Sequence, residues 1–72
     1  MKAYAIPFKY VAPLDLDALD FQSKGVIIDG DREAVIIIEP SEKLIERWKE
    51  LKIEFEELPQ EEAEKYIKEV FF

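Results

Sequence analysis

No cysteine, histidine, asparagine or threonine occurs in this chain. Without cysteine there is no disulfide and no thiolate metal site, and without histidine the commonest transition-metal ligand is gone. The same two absences remove the familiar nucleophile–base pairs of covalent catalysis. Glycine is scarce too: Gly25 and Gly30 stand too far apart to form a phosphate-cradling loop. The two serines offer little, Ser23 lying beside a hairpin and Ser41 at a helix start. No catalytic residue is assigned, no cofactor is expected, and the chain reads as a non-enzyme.

Positive charge is also in short supply. Ten Lys and Arg stand against seventeen Asp and Glu, a net charge of −7. Nucleic acid would be repelled, and no basic stripe exists to receive it. Long apolar runs are missing as well. Ala34–Ile38 is the longest, far short of the ~20 residues that span a bilayer. Met1-Lys2-Ala3-Tyr4 has no basic stretch leading into an apolar run, so no secretory signal is expected. Neither nucleic acid nor membrane is an expected partner, and a cytoplasmic location is the default.

What is present is the material of a folded domain. Nearly half the residues are hydrophobic (49%), too many for a disordered chain. Seventy-two residues predict one α+β domain spanning the sequence. A single core of this size supplies only about 3–5 kcal/mol unaided. With disulfides and soft metals excluded, a homo-oligomer, dimer or higher, is the expected support. Abundant Glu and Lys without Asn is a tendency of hyperthermophile proteins.

Tyr4, Ile6, Phe8 and Tyr10 alternate with Ala3, Ala5, Pro7 and Lys9, predicting a strand over Lys2–Val11. Pro7 cannot donate to a ladder, so that strand is at an edge, bulged or broken there. Ala12–Lys24 reads as a short helix capped by Asp15, with a packed loop as the alternative. Gly25–Glu39 predicts a hairpin turning at Asp29-Gly30-Asp31-Arg32, with Gly30 at positive φ. The favoured register pairs Ile27 with Ala34 and Val26 with Val35. A tight Asp29-Gly30 turn would instead set Ile27 against Arg32. Ala34–Ile38, apolar on both faces, should lie inside the sheet.

Ser41 should cap a helix through about Leu51, with Leu44, Ile45, Trp48 and Leu51 as its inner stripe. Lys52 then falls where a left-handed residue is needed. Ile53–Leu58 reads as a strand, and Pro59 opens a last helix that buries Ala63, Tyr66, Ile67, Val70 and Phe71. These elements predict a small, mostly antiparallel four-stranded sheet with two or three helices on one face. If Ala12–Lys24 is helical, the order is ferredoxin-like βαββαβ with a C-terminal helix appended.

Three sets of residues bear on function. Asp15, Asp17 and Asp20, with Asp29 and Asp31, are weak candidates for a hard cation; the plainer reading is that they keep a loop and a turn solvated, one also capping a helix. Glu54, Glu56, Glu57 and Glu61 form an acidic stretch that could dock a basic protein, or simply a solvated face. Tyr4, Phe8 and Tyr10 suggest stacking on single-stranded RNA, but Ala34–Ile38 contributes no aromatic and the charge is wrong. Packing in a core or an interface is the expected role.

A sheet apolar on both sides needs two covers. If the helices take one face, either the Leu14–Phe21 segment or a second copy must meet the other, the copy through Tyr4, Phe8, Val35 and Ile37. The expected function is a small acidic self-associating protein-interaction module. A regulatory domain binding a small molecule at a subunit interface is the alternative, and a carboxylate-dependent metal enzyme the third.

Overall fold

The computed structural model describes residues 1–10 and 21–71. Its elements are β1 (Ala3–Pro7), a 3-10 turn (Phe8–Tyr10), β2 (Gly25–Asp29), β3 (Ala34–Ile38), α1 (Glu42–Glu50), β4 (Glu56–Glu57) and α2 (Gln60–Phe71). The strands form one antiparallel sheet in the order β2-β3-β1-β4. This is an α+β fold. Most of the segment on which the complete βαββαβ order depends, residues 12–20 with Asp15, Asp17 and Asp20, lies outside the described residues.

β1 is central, yet it tolerates Pro7. Phe8 N donates to Glu33 O (2.9 Å), which sets the alternation of the antiparallel ladder. Pro7 therefore turns its nitrogen away from β3, toward the β4 side. There β4 stops at the Ala5–Glu56 pair, so no donor is missed. The strand ends at Pro7 rather than running to Val11, and Phe8–Tyr10 coils into the 3-10 turn. β3 is buried from end to end, as an interior strand should be.

The helices do not share a face. Leu44 and Trp48 of α1 pack with Ile6, Val35 and Ile37. Ala63 and Ile67 of α2 pack with Ala3, Ala5, Ile36 and Ile38. Odd and even residues of β3 thus feed two cores, each under its own helix. This corrects the expectation of helices on one face. The second cover is the chain's own last helix, so Val35 (2% exposed) and Ile37 (0%) hold α1 instead of facing another copy.

The hairpin also departs from expectation. Its register pairs Ile27 with Ile36 and Asp29 with Ala34, leaving a four-residue loop of Gly30 to Glu33. Gly30 does not take a positive φ; Glu33 does (φ 55). Asp29 Oδ1 accepts from the backbone N of Asp31 (3.0 Å) and Arg32 (3.2 Å). That side chain organises the turn, a role expected of glycine but available to aspartate. A Cβ added at Gly30 would meet nothing within 4 Å.

α1 begins at Ser41, whose Oγ accepts from Leu44 N (3.2 Å). It ends in a Schellman motif: Ile53 N donates to Trp48 O (2.9 Å) and Lys52 N to Lys49 O (3.1 Å). Lys52 sits at φ 56, as its place in the sequence predicts. A left-handed non-glycine residue costs about 1–2 kcal/mol. Lys52→Gly should therefore raise the unfolding free energy by roughly 1 kcal/mol, less whatever unfolded-chain entropy glycine adds. Gly30→Ala, at a position with room and no positive φ, should be neutral or up to ~1 kcal/mol stabilising. Urea denaturation of both variants measures this, and a destabilised Gly30→Ala would put the turn back on glycine.

Candidate functional site

The sheet has two edges of opposite character. β4 is two residues long, both glutamates, with Lys2 Nζ 3.6 Å from Glu57 Oε1. A short, charged edge resists further pairing. β2 has five residues, Gly25-Val26-Ile27-Ile28-Asp29, with no Pro, Lys or bulky charge before Asp29. Among the described residues no strand lies on its outer side. Glu39 N donates to Lys2 O and Phe8 N to Glu33 O, so the odd residues of β3 address β1 and its even residues address β2. Through the register, Gly25, Ile27 and Asp29 bond β3, while Val26 and Ile28 turn their N–H and C=O outward. Ile28 is 68% exposed.

Further exposed apolar groups stand beside β2. Phe21, just ahead of it, is 90% exposed. Val70 of α2 lies over Gly25, where an added Cβ would come within 3.1 Å of Val70 Cγ1. Gly25 is small because the helix passes this close. Val70 and Phe71, expected in the core, remain partly exposed at the end of α2.

A polar cluster ties the hairpin loop to α2. Tyr66 Oη donates to Asp29 Oδ2 (2.6 Å), Arg32 Nη2 to Glu62 Oε2 (2.9 Å), and Arg32 Nη1 to Tyr66 Oη (3.4 Å). The Tyr66 bond, aided by the Arg32 and Asp31 amides, holds the Asp29 carboxyl below the usual aspartate range. The same bond raises the Tyr66 phenol. Asp29 contributes stability above its unfolded value, lost as pH falls through the depressed folded value. Tyr66 contributes stability below its unfolded value, lost as pH rises through the raised one. The melting-temperature gap between the native chain and Tyr66→Phe should be widest near neutrality. It should close below an ordinary aspartate's pKa of about 3.9 and above a phenol's of about 10. A gap that is constant with pH would show the cluster to be idle.

A cavity of about 410 Å³ opens between Arg32 and the β4 side, with Glu33, Glu54 and Glu56 around a floor that includes Ala5, Ala34 and Phe55. The acidic stretch is not one patch. Glu54 and Glu56 line this groove, whereas Glu57 is paired across from Tyr4, whose hydroxyl donates to it (3.3 Å). Glu61 sits exposed in the first turn of α2. Burial, then the nearby Glu57 charge, raises the Tyr4 phenol. Of the residues expected at an interface, Tyr4 is half-buried against Trp48 and Phe55, and Phe8 alone is exposed, in the 3-10 turn.

Comparison with family models, curated proteins and solved structures finds no match. Among the described residues no three carboxylates gather as a metal site, and no helix is long and apolar enough to cross a membrane. The β2 edge escaped the sequence reading because Val26-Ile27-Ile28 has the apolar pattern of an interior strand. Only its distance from β1 in the sheet makes it an edge.

Proposed function

We propose that this chain is a small acidic protein-interaction module, without catalytic activity of its own, whose docking element is the outer edge of β2. One observation carries the reading: of two sheet edges, β4 is short and charged while β2 is longer, apolar and, among the described residues, without a neighbouring strand on its outer side. Added strands gain main-chain hydrogen bonds from such an edge and specificity from its alternate side chains. The outward N–H and C=O groups of Val26 and Ile28 supply the first, and the exposed Ile28 the second. The strand order, with β1 between β3 and β4, supports a ferredoxin-like frame to which α2 is added.

A photo-crosslinking amino acid at position 28, introduced in cells producing the protein, tests this. A discrete adduct at 28, absent when the same group replaces the exposed Glu54, is the expected result. No adduct at 28, or the same adducts at both positions, would remove β2 as the docking element.

A further inference from the structure

We infer that the occupant of the β2 edge is the β2 strand of a second copy, paired antiparallel about a two-fold axis at Ile27. This rests on the docking reading above and names its partner.

A strand meeting itself across a two-fold axis normal to the sheet must keep each face continuous. Residues that pair then share a face, so their numbers sum to an even value. The outward backbone groups belong to Val26 and Ile28. Centring on Ile27 sets Val26 against the partner's Ile28 and Ile28 against the partner's Val26, both as hydrogen-bonded pairs. Every outward donor and acceptor of β2 is then used. Ile27 meets the partner's Ile27 at the axis as a non-bonded pair, where side chains approach more closely. The exposed Ile28 side chain covers the partner's half-buried Val26 on the α1 face of the joined sheet.

Charge chooses the same partner. The exposed Lys24 precedes β2, and the exposed Asp31 follows it in the hairpin loop. Antiparallel pairing about Ile27 places Lys24 opposite the partner's Gly30, whose missing side chain leaves room beside the partner's Asp31. The pair occurs twice by symmetry, at both ends of the joint. Between Lys24 and Asp29 the strand carries no charge, so two molecules of net −7 meet at a stretch that adds no repulsion of its own. The product is one eight-stranded sheet whose remaining edges are the two short, charged β4 strands. Assembly therefore closes at the dimer.

Light scattering on the purified protein decides the matter. The native chain should have twice its 8.5 kDa mass at micromolar concentration, and Ile28→Lys should have the single mass. Ile28 is largely exposed within one chain, so dilute Ile28→Lys should keep the native circular dichroism. Lys24→Glu should weaken the dimer at least tenfold, and adding Asp31→Lys to it should restore most of that loss. In the native chain, amide exchange at Val26 and Ile28 should slow as concentration rises. A monomeric native chain, or a dimer indifferent to both Ile28→Lys and Lys24→Glu, overturns the second copy as occupant. If the adduct at position 28 then joins a different protein, docking at β2 stands with another partner. If there is no adduct either, both ideas fall.

Discussion

Trp48→Ala should leave a chain with no cooperative unfolding transition at 25 °C. Trp48 is fully buried (0% exposed), the largest side chain in the α1-side core. Its ring centroid lies 5.3 Å from Phe55 and 6.2 Å from Tyr4, and α1 rests on the sheet through it and Leu44. Truncating a buried tryptophan costs about 3–5 kcal/mol. A core of this size supplies about 3–5 kcal/mol in total, so the loss matches everything available. Trp48→Phe should be far milder. Among the described residues the indole Nε1–H has no hydrogen-bond partner, and its aromatic neighbours offer only weak acceptance through their ring faces. An unmet buried donor costs about 1–3 kcal/mol; phenylalanine removes that cost while keeping an aromatic ring against Phe55. Urea denaturation followed by far-ultraviolet circular dichroism separates the two variants. A Trp48→Ala chain that melts like the native one would show that α1 is held elsewhere.

The elements whose limits are local chemistry were legible in the sequence. Ser41 as a cap, Lys52 in a left-handed conformation and Ala34–Ile38 as an interior strand each follow from a residue and its immediate neighbours. The hairpin was legible as a hairpin but not in its register. Asp29 organises a four-residue loop and Glu33 takes the positive φ, and no local signal separates that loop from one turning on Gly30. Ile53 and Phe55 do face the α1-side core, but the backbone meets β1 only from Glu56 on, through the Glu56–Glu57 ladder and Leu58 N donating to Ala3 O. Side-chain alternation reports which way a residue points, not whether its backbone finds a neighbour.

The arrangement of the helices was the larger gap. Both have an apolar stripe, and a stripe says that a helix is covered without saying by which face of the sheet. The apolar excess on both sides of β3 did show that two covers exist. It could not tell a second chain from the twelve-residue helix α2 of the same one. The docking edge stayed hidden for a related reason: Val26-Ile27-Ile28 and Val35-Ile36-Ile37 look alike in sequence. Among the described residues, β3 lies between two strands and β2 beside one.

Ending the chain after Pro59 should abolish the fold, because α2 is the cover on one whole face. Its buried residues are Ala63 (0% exposed) and Ile67 (9%), set against Ala3, Ala5, Ile36 and Ile38. Without the helix, Ile36 and Ile38 lose their shelter. Full burial of an isoleucine is worth about 1.5–3 kcal/mol, so these two alone approach the whole stability expected of such a domain. The hairpin loop also loses the Tyr66 and Glu62 partners of Asp29 and Arg32. The shortened chain should therefore bind a hydrophobic dye and show no cooperative melt. A point change makes the same test in the full chain. Ala63→Glu drives a carboxylate into that core with no cation to meet it, at a cost of several kcal/mol. Glu64→Ala, one residue on and exposed, should move stability by no more than about 0.5 kcal/mol. If the shortened chain or Ala63→Glu keeps the native melting temperature, α2 is an ornament and the face it overlies is covered by something else.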